Sequence, residues 1–500
     1  MLEYHPRYHY INDFTIIEKD GEYHLFHITG ERLKMSLFLT DLPKQGHAVS
    51  RDLMHWQEQP FVTSFGGPCS AVKHNGRFAL LGNLNCIYWS DDLTTWSEPE
   101  PVQFDFNRPD SPYETEMILE TASYNSHRDP NIHWDPERNI YVMFFCSRVK
   151  ASLEPDIFRR GCIGLAESED LIHWHLGPPA LPPGNHLFPE SPHVIDLNGK
   201  YHLFFCLSPE TGLRHAVADS LRGPYQEVEG RDLLPTYLGA SETVKTGDGW
   251  IFLGRLKDRN ERCNQSRLAP RALCLPLTVH ANADQSIAFH ALPALEKLRD
   301  DCLFDSRQQM LFEHWRVIAG DWRINTTGAL AANRHELIPP NSLYGSCNVN
   351  PAQVRYNTPI ADFDLEFDMQ LPTFNGNDTQ FSAGFAADGV KFQLCSELKS
   401  FICQDVQGDV LAQAPLPDFK ADRYYHIRLF RCDSITQLYL DGNLIMYLPA
   451  YGDASGMIEF FVKHADLIVS NIRLWTLDVQ ISNGFSFDTT QGGIMNGVVF

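Results

Sequence analysis

Ser50-Arg51-Asp52-Leu53-Met54-His55-Trp56 decides the fold, because it does not occur only once. The heptad returns as Ser90-Asp91-Asp92-Leu93-Thr94-Thr95-Trp96 and as Ser168-Glu169-Asp170-Leu171-Ile172-His173-Trp174, with a worn copy at Asp219-Ser220-Leu221-Arg222-Gly223-Pro224-Tyr225. Ahead of each copy runs a turn and an alternating aromatic segment: Gly21-Glu22-Tyr23-His24-Leu25-Phe26, Gly76-Arg77-Phe78-Ala79-Leu80-Leu81, Asn139-Ile140-Tyr141-Val142-Met143-Phe144 and Gly199-Lys200-Tyr201-His202-Leu203-Phe204. Asp248-Gly249-Trp250-Ile251-Phe252-Leu253 is a fifth. Short aromatic and β-branched runs bounded by Gly, Asn and Asp read as strands and hairpins. Five such units of roughly 45–65 residues predict a five-bladed β-propeller, which carries one repeat per four-stranded blade. The Asp-Leu-x-x-Trp element is then the turn and outer strand of a blade. Trp56, Trp96 and Trp174 read as packing between blades, since a feature repeated from blade to blade cannot be a unique site.

Past the repeats the pattern changes. Leu292 to Asp300 has helix formers and a charged face, and reads as a short connector. Strands without the heptad follow: Phe363 to Met369 and Tyr425 to Phe430 alternate strictly, and Leu438 to Ile445 carries a hairpin turn at Asp441-Gly442. Many short strands with regular turns predict a β-sandwich. The expected organisation is all-β: a five-bladed β-propeller over residues 1–300, a linker over 301–309, a C-terminal β-sandwich over 310–477 and a tail over 478–500. Tyr424 and Phe461 are candidates for a glycan-binding or self-association surface on the sandwich, though an isolated aromatic there is more often core.

Composition narrows the partners. The chain has 500 residues, 63 acidic against 41 basic side chains and a net charge of -22. So large an excess of carboxylates repels phosphate backbones and anionic lipid, which argues against nucleic acid or a membrane and for a neutral ligand. No apolar run reaches the ~18 residues of a membrane helix, and the first residues lack a basic and apolar leader, so a cytoplasmic location is expected. The twelve cysteines are scattered without a C-x-x-C pair, and read as buried thiols rather than disulfides or metal ligands.

Three places break the repeat. Asp13 in Asn12-Asp13-Phe14, Asp129 in Arg128-Asp129-Pro130 and Glu190 in Pro189-Glu190-Ser191 lie 10, 12 and 11 residues before Tyr23, Tyr141 and Tyr201. Such offsets put each on the innermost strand of its blade, near one level of the central funnel. Ser70 holds nearly that offset in the second unit, and Glu242 lies a little nearer to Trp250 in the fifth. Converging carboxylates repel one another, so a fold that gathers them gives up stability unless they serve a purpose. Glycoside hydrolysis needs two, one as nucleophile or base and one as proton donor. Other readings are a calcium site built on the three acids and ordinary turn or capping roles.

These residues resemble the retaining furanoside hydrolases of the invertase, inulinase and levanase type, glycoside hydrolase family 32, whose members join a five-bladed propeller to a β-sandwich. Gly46-His47-Ala48-Val49-Ser50-Arg51-Asp52-Leu53-Met54-His55-Trp56 looks like the family's Gly-His-Ala-x-Ser-x-Asp-Leu-x-x-Trp, and Arg128-Asp129-Pro130 like its Arg-Asp-Pro. Ser70-Ala71-Val72 is similar to the end of its Ser-Gly-Ser-Ala stretch, and Ala269-Pro270-Arg271-Ala272-Leu273 to its Pro-Arg-x-Leu run. The resemblance reaches to about residue 477. It implies that Asp13 is the nucleophile, that Asp129 steadies the transition state through sugar hydroxyls, and that Glu190 is the acid/base. It also implies a small carbohydrate substrate bound with help from Asn12, Arg128, Ser70, Gln45, Glu242 and Arg255, and no cofactor or metal.

The surroundings depart from the family. Phe14-Thr15-Ile16 replaces Pro-Asn-Gly, Ser191 replaces Cys, Gln45 and Arg255 stand at Trp positions, and Ile28 stands at a Gln position. Arg255 is expected to pair with Glu242, or else with an anionic part of a ligand. The chemistry therefore transfers better than the substrate: sucrose, a fructo-oligosaccharide or a fructan. The alternatives are an arabinan-directed propeller hydrolase, whose acidic Glu lies in a context closer to Glu190-Ser191-Pro192, and a propeller that binds a glycan without cleaving it.

Overall fold

In a computed structural model, the structure describes residues 4, 6, 11–29, 44–63, 67, 69–115, 127–208, 212–228, 233, 238–256, 272–325, 338–347, 351–371, 382–387, 389–395, 399–405, 407–416, 418–420, 423–432, 435–449 and 457–478. The tail 479–500, Cys263 and the Ala269-Pro270-Arg271 part of the Pro-Arg-x-Leu resemblance lie outside them.

Each repeat unit is one antiparallel blade. Blade one is β1–β4 (Phe14–Lys19, Glu22–Thr29, Lys44–Ser50, Gln57–Thr63), and blade two is β5–β8 (Cys69–His74, Arg77–Gly82, Cys86–Ser90, Glu100–Pro101). In blade three a short β9 (Gln103–Phe104) runs parallel to the outermost strand of β10–β13 (Arg128–Asp135, Ile140–Arg148, Gly161–Ser168, His173–Leu176), and β14 (Leu181–His186) adds to β12. Blade four is β15–β18 (Phe188–Leu197, Lys200–Ser208, Leu213–Ala218, Gln226–Glu227), and blade five is β19–β22 (Leu238–Thr246, Gly249–Leu256, Leu277–Ala281, Ile287–Ala291). The innermost strands close a ring, β1 beside β5, β5 beside β10, β10 beside β15, β15 beside β19 and β19 beside β1. Cross-blade bonds stitch it: Thr15 Oγ1 accepts from Ala71 N at 3.2 Å, and Ser70 Oγ from Ile132 N at 3.0 Å.

The heptad is the turn from the third strand to the fourth. Ser50, Ser90 and Ser168 accept the N–H of Leu53, Leu93 and Leu171 on their hydroxyls, and Asp52, Asp92 and Asp170 accept the next two N–H groups. The three leucines sit at φ of 64°, 66° and 67°, a left-handed backbone that a branched side chain rarely takes. Those side-chain bonds hold it. Indole Nε1 of Trp56 and Trp174 donates to the leucine carbonyl, and in the worn copy Tyr225 Oη donates to Leu221 O instead. Trp96 meets Phe26 of blade one edge-on at 5.3 Å. The tryptophans pack within and between blades, as their repetition implied.

Gly46-His47-Ala48 has its own physical cause. Gly46 pairs across β2–β3 with His27, and a Cβ there would come within 2.5 Å of the His27 ring. His47 Nε2 lies 3.0 Å from His24 Nδ1, and blade four repeats the device with His202 Nδ1 2.8 Å from His215 Nε2. Burial lowers all four imidazoles, His47 and His215 to about 3. A base held below its unfolded value stabilises fully above about pH 6.5 and loses that contribution as pH falls towards 3. Each strongly lowered histidine is expected to cost on the order of 2 kcal/mol at pH 4.5. Melting temperatures from pH 7 to 4.5 should therefore fall more steeply for the wild type than for a His47→Gln, His215→Gln double variant, and parallel curves would contradict this.

The second domain is a sandwich. One sheet contains Asp321–Asn325, Ser342–Cys347, Ala465–Leu477, Phe363–Gln370, Tyr425–Cys432, Ile435–Leu440 and Asn443–Pro449. The other runs through Trp315–Ala319, Ala352–Tyr356, Ile458–Lys463, Ser382–Ala387, Val390–Cys395, Ser400–Gln404 and Val410–Pro415. Leu365, Phe367, Phe385 and Phe460 fill the space between them. Asp441 and Gly442 have φ of 50° and 83°, the left-handed pair a two-residue hairpin turn requires. Phe461 is buried and Tyr424 exposed.

The stretch read as a linker is partly structured: Arg299–Asp305 is a strand on Ala465–Leu477, because Phe304 is buried in the sandwich core and Arg299 pairs with Asp364 and Glu366. The connector before it, Pro293–Leu298, is a short 3-10 helix. The described cysteines are all free thiols, most of them buried. No helix among the described residues is long and apolar enough to cross a membrane.

Candidate active site

Strand register shows how the acids come together. Thr15, Asn131 and His193 pair opposite Phe26, Phe144 and Phe204, the same position in blades one, three and four. Counting back two residues from each gives Asp13, Asp129 and Ser191, and counting back three gives Asn12, Arg128 and Glu190. The site is thus two adjacent polar levels contributed by three blades. Glu190 is the counterpart of Arg128 and Asn12, not of the two aspartates, and Ser191 stands where the other blades have an acid. Near-equal sequence offsets had merged the two levels.

Bulges make this possible. Register shifts interrupt β10 between Arg128 and Asn131 and β15 between Glu190 and His193, and Asp129 and Ser191 take φ of 56° and 48° within them. Such bulges turn side chains out of the regular alternation. Two residues then link the acids. Ser191 donates its N–H to Asp129 Oδ2 at 3.0 Å and its hydroxyl to Asp13 Oδ1 at 3.2 Å. Arg128 Nη2 donates to Glu190 Oε1, and Arg128 Nε lies 3.8 Å from Asp129 Oδ2. The Arg128 guanidinium lies 4.9 Å over the Phe188 ring, which orients it. Asn12 Nδ2 donates to Asp13 Oδ2 at 3.4 Å.

Electrostatics follow from enclosure. Burial raises Asp13 above the usual carboxylate range, Glu190 adds to this, and Arg255, Ser191 and Arg128 oppose it. Asp129, 6% exposed, is pushed up to about 8 by burial and by the charge of Asp13, against the pull of Arg128. Among the described residues no group of three or more His, Cys, Asp or Glu is arranged to hold a metal ion. The acids are spanned by Ser191 and Arg128 instead.

The remaining sequence-derived candidates divide. Glu242 lies on β19 at the level of Asn131 and accepts from Asn131 Nδ2 at 3.3 Å and from Thr243 N at 3.1 Å. Its burial raises it to about 8. Asn131, which the sequence reading missed, thereby reaches across the axis from blade three to blade five. Arg255 is buried on β20, and its charge opposes the rise of Asp13. Gln45 turns inward: its Nε2 donates to Cys69 Sγ at 3.2 Å and its Oε1 accepts from Gly67 N at 3.4 Å. Ser70 accepts from Ile132 N, a bond between blades. The sequence marks Ser191 only as a departure from Cys; its link to Asp13 and Asp129 emerges only from the strand register and the hydrogen bonds.

Residues 4–176 match the family described as glycosyl hydrolases family 32 N-terminal domain. No curated protein matches the chain. Among solved structures, an exo-inulinase from Aspergillus awamori is 14% identical with a TM-score of 0.63, over 95% of this chain and 98% of its own. A sucrose-6-phosphate hydrolase from Lactobacillus gasseri is 12% identical with a TM-score of 0.60, over 94% and 93%. A family 32 β-fructofuranosidase from Bombyx mori is 14% identical with a TM-score of 0.59, also over 94% and 93%. Such low identities speak to the fold, a propeller followed by a β-sandwich. Together they show that residues 4–176 are similar to the glycoside hydrolase family 32 N-terminal domain and that the whole chain shares the fold of these family 32 and sucrose-6-phosphate hydrolase structures.

Proposed function

We propose that the protein hydrolyses β-fructofuranosides, such as sucrose, fructo-oligosaccharides or fructan, with retention of configuration. The observation that carries the proposal is the convergence of Asp13, Asp129 and Glu190 from three blades, held by Ser191 and Arg128. Asp13 attacks the anomeric carbon and Glu190 protonates the departing oxygen; water then resolves the fructosyl-enzyme, with Glu190 taking its proton. Arg128 donates to Glu190 Oε1, so Oε2 is the atom that carries the proton to the leaving group. Asp129 accepts sugar hydroxyls beside the reacting carbon. Gln45, a buried side chain with both ends of its amide bonded to protein, supplies no flat aromatic wall, so orientation falls to polar groups around the acids.

The test is incubation with sucrose, 1-kestose, inulin, levan and an arabinan, with fructose or arabinose release quantified and the first product's anomer read by NMR. The expected result is β-fructofuranose released first from at least one fructoside. An inverted product would refute double displacement, release from the arabinan alone would refute the substrate class, and inert substrates that still raise the melting temperature would leave a binding propeller.

A further inference from the structure

We propose that Ser191 is a positioning residue that locks the nucleophile to the stabilising acid and sets the acid limb of the pH–rate profile. This rests on Asp13 being the nucleophile.

Three features of the strand point to it. Ser191 occupies the blade-four counterpart of Asp13 and Asp129, so its Cβ projects from the same level of the ring. A third acid there would set three carboxyl groups side by side; a hydroxyl sets a donor between two. Its backbone is left-handed, φ 48°, a strained state for a residue with a side chain. That same conformation turns the N–H to Asp129 and the hydroxyl to Asp13, so neither bond can slip without the other. Finally, Ser191 follows Glu190 directly. One peptide unit and the Ser191 hydroxyl bond therefore connect the proton donor to the nucleophile, two groups that a retaining mechanism must hold at a fixed separation.

The hydroxyl bond goes to Asp13 and favours its anion, the form that attacks. Removing it should leave a smaller fraction of Asp13 ionised at mildly acid pH. The groups facing Asp13, its neighbour Asn12 and, from other elements, Arg128, Asp129, Glu190, Arg255 and the Cys69 thiol, remain in place.

The experiment is the pH dependence of kcat/KM for wild type, Ser191→Ala and Ser191→Gly on the best fructoside, with Asp13→Asn as the control. The Ala variant removes only the hydroxyl, and the Gly variant also relieves the left-handed strain. In both, the acid limb is expected to move up by about 0.5–1 pH unit, with kcat/KM below the limb falling about 3–10-fold and little change in melting temperature. A Ser191→Thr or Ser191→Cys variant that folds should recover part of the shift. An unmoved limb in the folded Ala and Gly variants, with Asp13→Asn inactive, overturns this inference alone. A fully active Asp13→Asn overturns it together with the assignment of the nucleophile.

Discussion

Asp13→Asn is expected to lower kcat on the best fructoside by about 10⁴-fold or more, while the melting temperature stays within a few degrees of the wild type. The size of the loss follows from removing an attacking atom from a site that is otherwise assembled; binding and the remaining polar groups leave only residual catalysis. The fold should survive because Asp13 lies just outside β1, and its backbone carbonyl, which accepts from Ile28 N at 3.0 Å, is untouched. The amide can also still accept from Ser191. Comparable loss in Glu190→Gln, partly restored by azide or formate as a small external nucleophile or base, would separate the two roles. Near wild-type turnover for Asp13→Asn would remove the double-displacement mechanism.

Asp129→Asn should inactivate the enzyme and at the same time stabilise it. The buried Asp129 carboxyl holds its proton to about pH 8, well above its unfolded value near 3.8. A group raised in this way favours the folded state fully below pH 3.8, and that advantage is lost as pH rises through 8. An asparagine has no such term. Its advantage in melting temperature should therefore be absent near pH 3.5 and grow to about 3–5 °C at pH 8. A variant less stable than wild type at pH 8 would show that Arg128 and the Ser191 N–H more than compensate the buried charge. The expected trade of stability for activity is common where a fold gathers like charges for chemistry.

The propeller was legible because its signal is repeated. The Ser-x-Asp-Leu turn recurs with the same hydrogen bonds between the third and fourth strands of blades one, two and three, and the aromatic strands recur with it. The acids were legible for the opposite reason, as irregularities against that background. Counting along the chain could not resolve their levels, because the β10–β11 turn is two residues longer than the matching turns of blades one and four and so puts the Glu190 offset of 11 between the aspartates' 10 and 12. Hence Glu190 reads as the equivalent of the two aspartates, and Ser191 as a lost cysteine rather than as a link. Gln45 and Ser70 were placed by analogy with a sugar pocket, but their polar atoms bond to protein at the seams between strands and blades. The 301–309 segment reads as a linker because its charges, Asp301, Asp305 and Arg307, hide the one buried apolar side chain, Phe304, that anchors it.

The outer strand of blade five is not an edge. β22 bridges to the Asn443–Pro449 strand through His290 and Asn443, and Leu275 N donates to Tyr447 Oη at 3.0 Å. One apolar cluster holds Phe14 and Phe252 of the blades together with Phe430, Tyr439 and Tyr447 of the sandwich. Melting either part strips the other of side-chain contacts, so the chain should unfold in one calorimetric transition. A fragment ending near residue 300 would present β22 as an open, partly apolar strand edge, and its fate in solution would be governed by self-association before it was governed by catalysis.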